Sequence, residues 1–234
     1  MSLLTICQNA LNELSGFDVP SSFYGSNNQT AKRCLALVRR TGATLERQYR
    51  WSELIDTYTF ETVSGTGTYD LPSDFRTFAN MSQWDRTNIR PMVGPTPGFV
   101  WQWLKSGIAA GSTIETWWRL EGGNSFVLHP VPTTTRTLAF DYYSKNWITK
   151  QLDSSTTSEF TSDNDTCRLD EELLTLALKW RFLQSLGMPY EPEYREYEQV
   201  LEDRIADGGG KGMINLGRRT MRMTNLPDTG FGHS

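Results

Sequence analysis

Apolar residues first recur along the chain at helical spacing. Leu3, Ile6, Cys7, Ala10, Leu11 and Leu14 repeat at i, i+3 and i+4, which predicts a helix over residues 3–14 ended by Gly16. After a loop through Pro20 and Gly25, Ser26 and Gln29 stand three apart as a capping box, with Ser26 as N-cap. The helix it opens should run to about Trp51 and bury Ala31, Cys34, Leu35, Val38, Leu45 and Tyr49. Lys32, Arg33, Arg39, Arg40 and Arg47 fall mainly off that face and read as a solvated surface shared with Glu46.

At Leu54 the period changes to alternation. Tyr58, Phe60 and Thr62 predict a strand, Gly65-Thr66-Gly67 a turn, and Thr68 to Pro72 a return. Further β-type runs follow at 75–84, 99–104, 113–120, 125–128 and 137–143, each bounded by Gly, Pro, Asn or Ser. The prolines and glycines between Pro91 and Gly111 argue against a helix there. Gly122-Gly123-Asn124 predicts a hairpin turn joining Trp117–Leu120 to Phe126–Leu128. Residues 153–165 are rich in Ser, Thr and Asp with little to bury, so they read as a mobile loop.

Helical period then returns in Leu173, Leu176, Ala177, Trp180 and Leu183, with Asp170, Glu171 and Glu172 in the first turn and Gly187 at the end. A second helix from about Glu191 to Ala206 carries Tyr194, Tyr197, Leu201 and Ile205 inward and Glu193, Arg195, Glu196, Glu202 and Arg204 outward. After the glycine-rich stretch Gly208–Gly212, the chain has no sustained period and little to bury alone. The pattern as a whole predicts an α+β protein. A four-helix bundle is formed by an N-terminal helix pair (1–53) and a C-terminal pair (169–207). Between them lie an inserted antiparallel β sheet or sandwich (54–150) and a loop (151–168), and an extended C-terminal arm (208–234) follows.

Composition adds two features to that outline. Aromatic residues make up 12% of the chain, with eight Trp, nine Tyr and eleven Phe, which fits a β core and leaves some rings for assembly. The net charge of −4 is unevenly placed. Residues 208–234 hold Lys211, Arg218, Arg219 and Arg222 against Asp228, a surplus of three positive charges, so the body carries −7. An acidic body is poorly suited to gripping DNA, which needs clustered Lys and Arg. Met213, Ile214, Leu216, Met221, Met223 and Leu226, interleaved with Lys211, Arg218, Arg219 and Arg222, make the arm a candidate grip on another molecule.

Candidate chemistry is sparse. The histidines, His129 and His233, join no nucleophile–base constellation, and no HExxH or Cys/His zinc spacing occurs, so neither a catalytic residue, a metal site nor a cofactor is expected. Gly208–Gly212 departs from a phosphate loop at both the first glycine and the magnesium-binding hydroxyl. Asp163-Asn164-Asp165 is a poor calcium loop, because Cys167 and Arg168 occupy the next ligand and glycine positions. Cys7, Cys34 and Cys167 are odd in number and widely spaced, which speaks against a disulfide framework and for synthesis in a reducing cytoplasm. No apolar run is long enough to span a membrane, and the opening residues do not form a signal peptide. Trp101, Trp103, Trp117 and Trp118 are candidate partner-binding residues. As strand residues, Trp101 and Trp103 would share a face, while Trp117 and Trp118 would point oppositely, so one of that pair must meet another layer or a partner.

Three stretches carry a family resemblance. The long helix leaves through Arg47-Gln48-Tyr49-Arg50-Trp51-Ser52-Glu53-Leu54 into the β region. The β region contains the sequence from Ser125 to Pro132 (SFVLHPVP), followed by Leu138-Ala139-Phe140-Asp141-Tyr142-Tyr143. The chain then closes through Leu173 to Leu183 and Tyr194-Arg195-Glu196-Tyr197-Glu198. In this order the chain resembles the head-to-tail adaptors of short-tailed bacteriophages, the tail tubular protein A type. The resemblance implies a non-enzymatic virion protein of the neck, made in the host cytoplasm. Its partners would be the portal protein, the tail nozzle and further copies of itself in a ring, commonly of twelve. Genome DNA would pass non-specifically through the lumen, no membrane would be involved, and the C-terminal arm would embed in the portal. The alternative from the tryptophans is a β-sandwich module that binds glycans or a host receptor.

Overall fold

The computed structural model describes residues 2–14, 16–79, 81–106 and 115–207. Among them are five α-helices and three antiparallel sheets. Helix α1 (Leu3–Glu13) opens on Ser2, whose hydroxyl accepts the Thr5 N–H. Helix α2 (Gln29–Gln48) is capped by Asn28, which accepts from the N–H groups of Thr30 and Ala31. This corrects the predicted N-cap: Ser26 instead accepts the Asn28 N–H, and so shapes the turn ahead of the cap. Helix α2 also stops at Gln48 rather than near Trp51, because Tyr49 turns to extended backbone. The Trp51 indole N–H then reaches back to the Leu45 carbonyl, which also accepts the Tyr49 N–H, and so fastens the chain to the end of the helix.

After a 3-10 turn at Ser52–Leu54, strand β1 (Ile55–Glu61) begins the β region, followed by β2 (Thr68–Asp70), β3 (Phe75–Phe78), β4 (Trp84–Asp85) and β5 (Arg90–Pro91). The run predicted as one strand over 75–84 is broken in two, with Met81 at φ 54° in the break and the Ala79 N–H bonded to the Asp141 carbonyl. Helix α3 (Gly98–Lys105) follows, and then β6 (Trp117–Glu121), β7 (Ser125–His129) and β8 (Thr137–Ser144). Strands β6 and β7 form the predicted hairpin. Gly122 and Gly123, at φ 59° and 84°, occupy the left-handed region that a tight turn requires.

Strand β8 organises the larger sheet. It pairs β1 along one edge, while its other edge is shared by β3 and β4, with β5 beyond β4. The smaller sheet runs β2-β7-β6. The two meet through a ring-rich core of Phe75, Trp118, Phe126, Phe140 and Tyr142, with Leu71, Met92, Leu128 and Leu138 filling between them. The helical expectation failed in the opposite sense at α3, predicted as a strand. The prolines lie before Gly98, where a helix start has no need of their N–H groups, and none lies within it. Trp101 and Leu104, three apart, then pack down on Val127.

Beyond β8, β9 (Ile148–Thr149) pairs with both β10 (Thr156–Thr157) and β11 (Thr166–Cys167). The segment predicted as a mobile loop with little to bury is therefore anchored. Phe160 is buried and meets the Trp147 ring edge-to-face at 5.3 Å, and Trp147 lies against Gly42 of α2. Helix α4 (Glu171–Leu186) is capped by Asp170, which accepts the Leu173 N–H, and closes on Gly187 at φ 70°. Helix α5 (Glu191–Asp207) completes the described chain. Helices α1, α2 and α5 each pack on α4, which is apolar nearly all round, burying Leu173, Leu174, Leu176, Ala177, Leu178, Phe182 and Leu183. Their shared core also takes in Cys7, Cys34 and Trp147.

Candidate interaction surfaces

Helix α3 separates the two tryptophans that alternation would have placed together. Trp101 is 1% exposed, whereas Trp103 is 54% exposed and Phe99 79% exposed. Residues two apart on a helix face different ways, while Phe99 and Trp103, four apart, share the outer side. Trp118 points into the β core and Trp117 to the opposite side, where it packs with Trp101, Leu104 and Val127. The tryptophan that leaves the main core thus meets another layer of the same chain. The Trp101 ring is flanked by cations, with Lys105 Nζ 5.5 Å and the Arg119 guanidinium 4.8 Å from its centre. Arg119 Nε also donates to Glu121 at 2.7 Å. His129 lies 5.9 Å from the same ring, and burial, aided by Lys105, lowers its pKa and favours the neutral imidazole. With Trp101 covered, these four tryptophans do not form a continuous sugar-stacking platform.

The carboxylates considered for calcium are organisers of backbone. Asp163 accepts from the N–H groups of Phe23 and Tyr24, at 3.0 and 2.7 Å, and from the Ser22 hydroxyl. Asp165 accepts from the N–H groups of Gln151, Thr161 and Ser162. Burial would raise the Asp165 carboxyl, but these bonds outweigh it and hold it below the usual carboxylate range. The thiols are free, and burial pushes Cys34 and Cys167 up to about 12, so they are unreactive at neutral pH. Among the described residues no His, Cys, Asp and Glu group has the arrangement of a metal site. None of their helices is long and apolar enough to cross a membrane.

Two arginines join the helices to the β region. Arg76 of β3 caps the end of α2, donating to the carbonyls of Glu46 and Arg47, and its guanidinium lies 3.2 Å from the Glu46 carboxylate. Glu46 is thereby turned inward and does not share the basic surface of α2, contrary to the sequence expectation. Its pKa is raised by burial, against the pull of Arg76. Arg168 grips Asp56 at the start of β1 through two bonds of 2.8 Å, and also donates to the carbonyls of Glu53 and Asn146.

The helices carry most of the charge asymmetry. Five cations and one carboxylate lie on α2, while α5 has seven carboxylates and two arginines. Lys179 of α4 is held by Glu13 at 2.6 Å and Glu196 at 3.9 Å, beside an open depression lined by Asn9, Glu13, Glu171, Glu172, Thr175, Leu176 and Glu196. Arg204 crosses from α5 to Asp170 and Glu172.

A family model described as SU10 adaptor protein matches residues 1–224, nearly the whole chain. The chain belongs to the SU10 adaptor family. The match runs through both helix pairs, the β region and most of the C-terminal segment. It agrees with the resemblance to phage head-to-tail adaptors read from residues 47–54, 125–143 and 173–198. Membership makes this a structural phage protein that works by contact with other virion components, and implies a place in the neck of the particle. No individual curated protein matches the chain. The arm residues named from sequence, Lys211, Met213, Ile214, Leu216, Arg218, Arg219, Met221, Arg222, Met223 and Leu226, lie outside the described residues. Sequence reasoning missed the Arg76 and Arg168 links and the opposed charge of α2 and α5. The last was legible as a count per helix; the arginine links join residues about 30 and 112 apart and left no local signal.

Proposed function

We propose that this SU10 adaptor is a ring-forming connector of a short-tailed phage, seated between portal and tail nozzle with genome DNA passing through its lumen. The observation that carries the reading is the family match over residues 1–224, which includes most of the segment after Gly208. In this reading α1, α2, α4 and α5 act as one four-helix bundle (1–53 with 169–207), residues 54–150 form a projecting β module, 151–168 link it back, and 208–234 are the arm that grips the portal. Ring symmetry multiplies contacts that are modest in one subunit, which suits a protein whose surfaces are charged rather than broadly apolar. The surplus of three positive charges and the apolar residues after Gly208 support a grip on a partner, and the −7 body suits a conduit that must let phosphates slide. A copy number of twelve is the expectation for such rings.

The test is co-sedimentation with the cognate portal. Full-length protein is expected to pellet with the portal as rings visible by negative stain, and a chain truncated after Asp207 to remain in the supernatant. Equal binding by both would remove the arm from the mechanism. A full-length chain that never joins the portal would end the connector reading.

A further inference from the structure

We infer that the outward face of α2 is the docking surface for the outward face of α5 on a second copy of this chain. The inference rests on the ring reading above and specifies which surfaces would meet. Lys32, Arg40 and Arg47 are all exposed, and their separations of eight and seven residues, about two helical turns each, align them on one stripe. The opposite side of α2 is committed to the core through Cys34, Val38 and Leu45. Between the cations stand Ala36 and Thr44, short side chains that let another helix approach closely. Among the described residues no ion pair involves any of the three cations; Lys32 meets the Asn27 amide, and Arg47 bonds to the Ala43 carbonyl of its own helix. The one carboxylate on α2, Glu46, is buried against Arg76.

Helix α5 is the counterpart. Tyr197 is buried, Tyr194, Val200 and Leu201 pack beside it on the core, and the opposite side of the helix faces outward with Glu198, Glu202 and Asp203 exposed. Its Arg204 is engaged with Asp170 and Glu172, which leaves the outer face more negative still. Both helices pack on α4, and both faces stay exposed, so within one subunit they do not cover each other.

Two complementary faces on different parts of one subunit make a heterologous contact, which repeats from copy to copy and closes into a ring when the rotation allows. Phosphate could pair with α2, but it would leave the acidic face of α5 unmatched. A second copy accounts for both. It would also cover the α2 cations, so that they could not hold DNA within the lumen.

The experiment is a charge-reversal cycle in the full-length protein. One variant carries Lys32→Glu, Arg40→Glu and Arg47→Glu, and the other Glu198→Lys, Glu202→Lys and Asp203→Lys. Each variant alone should self-associate at least about tenfold more weakly than wild type in sedimentation velocity, with and without portal. An equimolar mixture should regain assembly, since each α2–α5 contact again joins opposite charges, and so should the chain with all six changes. Recovery cannot come from misfolded protein, and the milder pair Arg40→Glu and Glu202→Lys repeats the cycle with one charge on each side. Assembly of the triple variants as well as wild type, or no recovery in either cycle, overturns the inference while leaving the connector reading intact. Normal assembly with lost DNA retention in the α2 variant overturns it in favour of a nucleic-acid surface. Failure of wild type to form rings on the portal overturns both.

Discussion

The helical body and the β region of this adaptor are built from different materials. The helical body buries mainly aliphatic and small side chains around α4, with Trp147, Phe160 and Phe182 among them, and it carries the strong charge differences on its outer faces. The β region is nearly balanced in charge and buries rings. Phe140 alone lies within contact geometry of Tyr58, Phe60, Phe75, Phe78, Phe126 and Tyr142. Aromatic cores are stiff, because edge-to-face pairs add orientation to burial. Helix faces, by contrast, can present rows of long charged side chains without disturbing what lies beneath. In the reading proposed above, the β region would supply shape and the helices recognition.

The two cores should respond differently to a single truncation. Phe140→Ala should cost about 3–5 kcal/mol in urea unfolding and strip order from the β region first, whereas Leu174→Ala should cost about 2–5 kcal/mol and act on the helices. If hydrogen exchange showed both substitutions loosening the same amides equally, the two regions would be one cooperative unit and not two materials.

The junction is the next test. Arg168→Ala removes the paired bonds to Asp56 and those to two carbonyls, and should cost about 1.5–3 kcal/mol. Arg168→Lys cannot reproduce the fork and should recover less than half of that loss. Full recovery by lysine in a thermal melt would mean that charge alone, rather than geometry, holds the regions together.

Gly42→Ala should reverse the usual sign of a glycine-to-alanine change within a helix. On an exposed helix the change would stabilise by about 1 kcal/mol. Here a Cβ would come within 2.2 Å of the Trp147 ring, so the substitution should destabilise by about 1–3 kcal/mol. A stabilised variant in urea would show that Trp147 is free to move.

The smallest effect concerns the link between the regions. Hydrogen bonds outweigh burial at Asp165 and depress its folded pKa, so its contribution is present above the unfolded value of about 4 and is lost as pH falls through the folded one. Asp165→Asn should cost about 1 kcal/mol at neutral pH and flatten the fall in stability below about pH 4. An unchanged acid slope would count against that role for the carboxylate.

Helices α1, α2, α4 and α5 and the β6–β7 hairpin were readable because their signals are local: apolar spacing and glycines suited to a left-handed turn; the cap of α2 was not, since Asn28 takes the place expected of Ser26. The opposed directions of Trp117 and Trp118 followed from strand geometry in the same way. The failures share one cause. At α3 the proline-rich approach hid an eight-residue helix, whose stability comes from seating Trp101 and Leu104 on Val127 across the sheet. At residues 151–168 polar composition concealed an anchored segment, because Phe160 finds Trp147 and Asp165 finds three N–H groups only after folding. Local order along the chain therefore settled the four longer helices, the β6–β7 hairpin and the order in which they follow one another. Which tryptophan is covered, where Glu46 turns and how the two regions are fastened were settled by tertiary structure, since burial and ion pairing depend on partners far away in the chain.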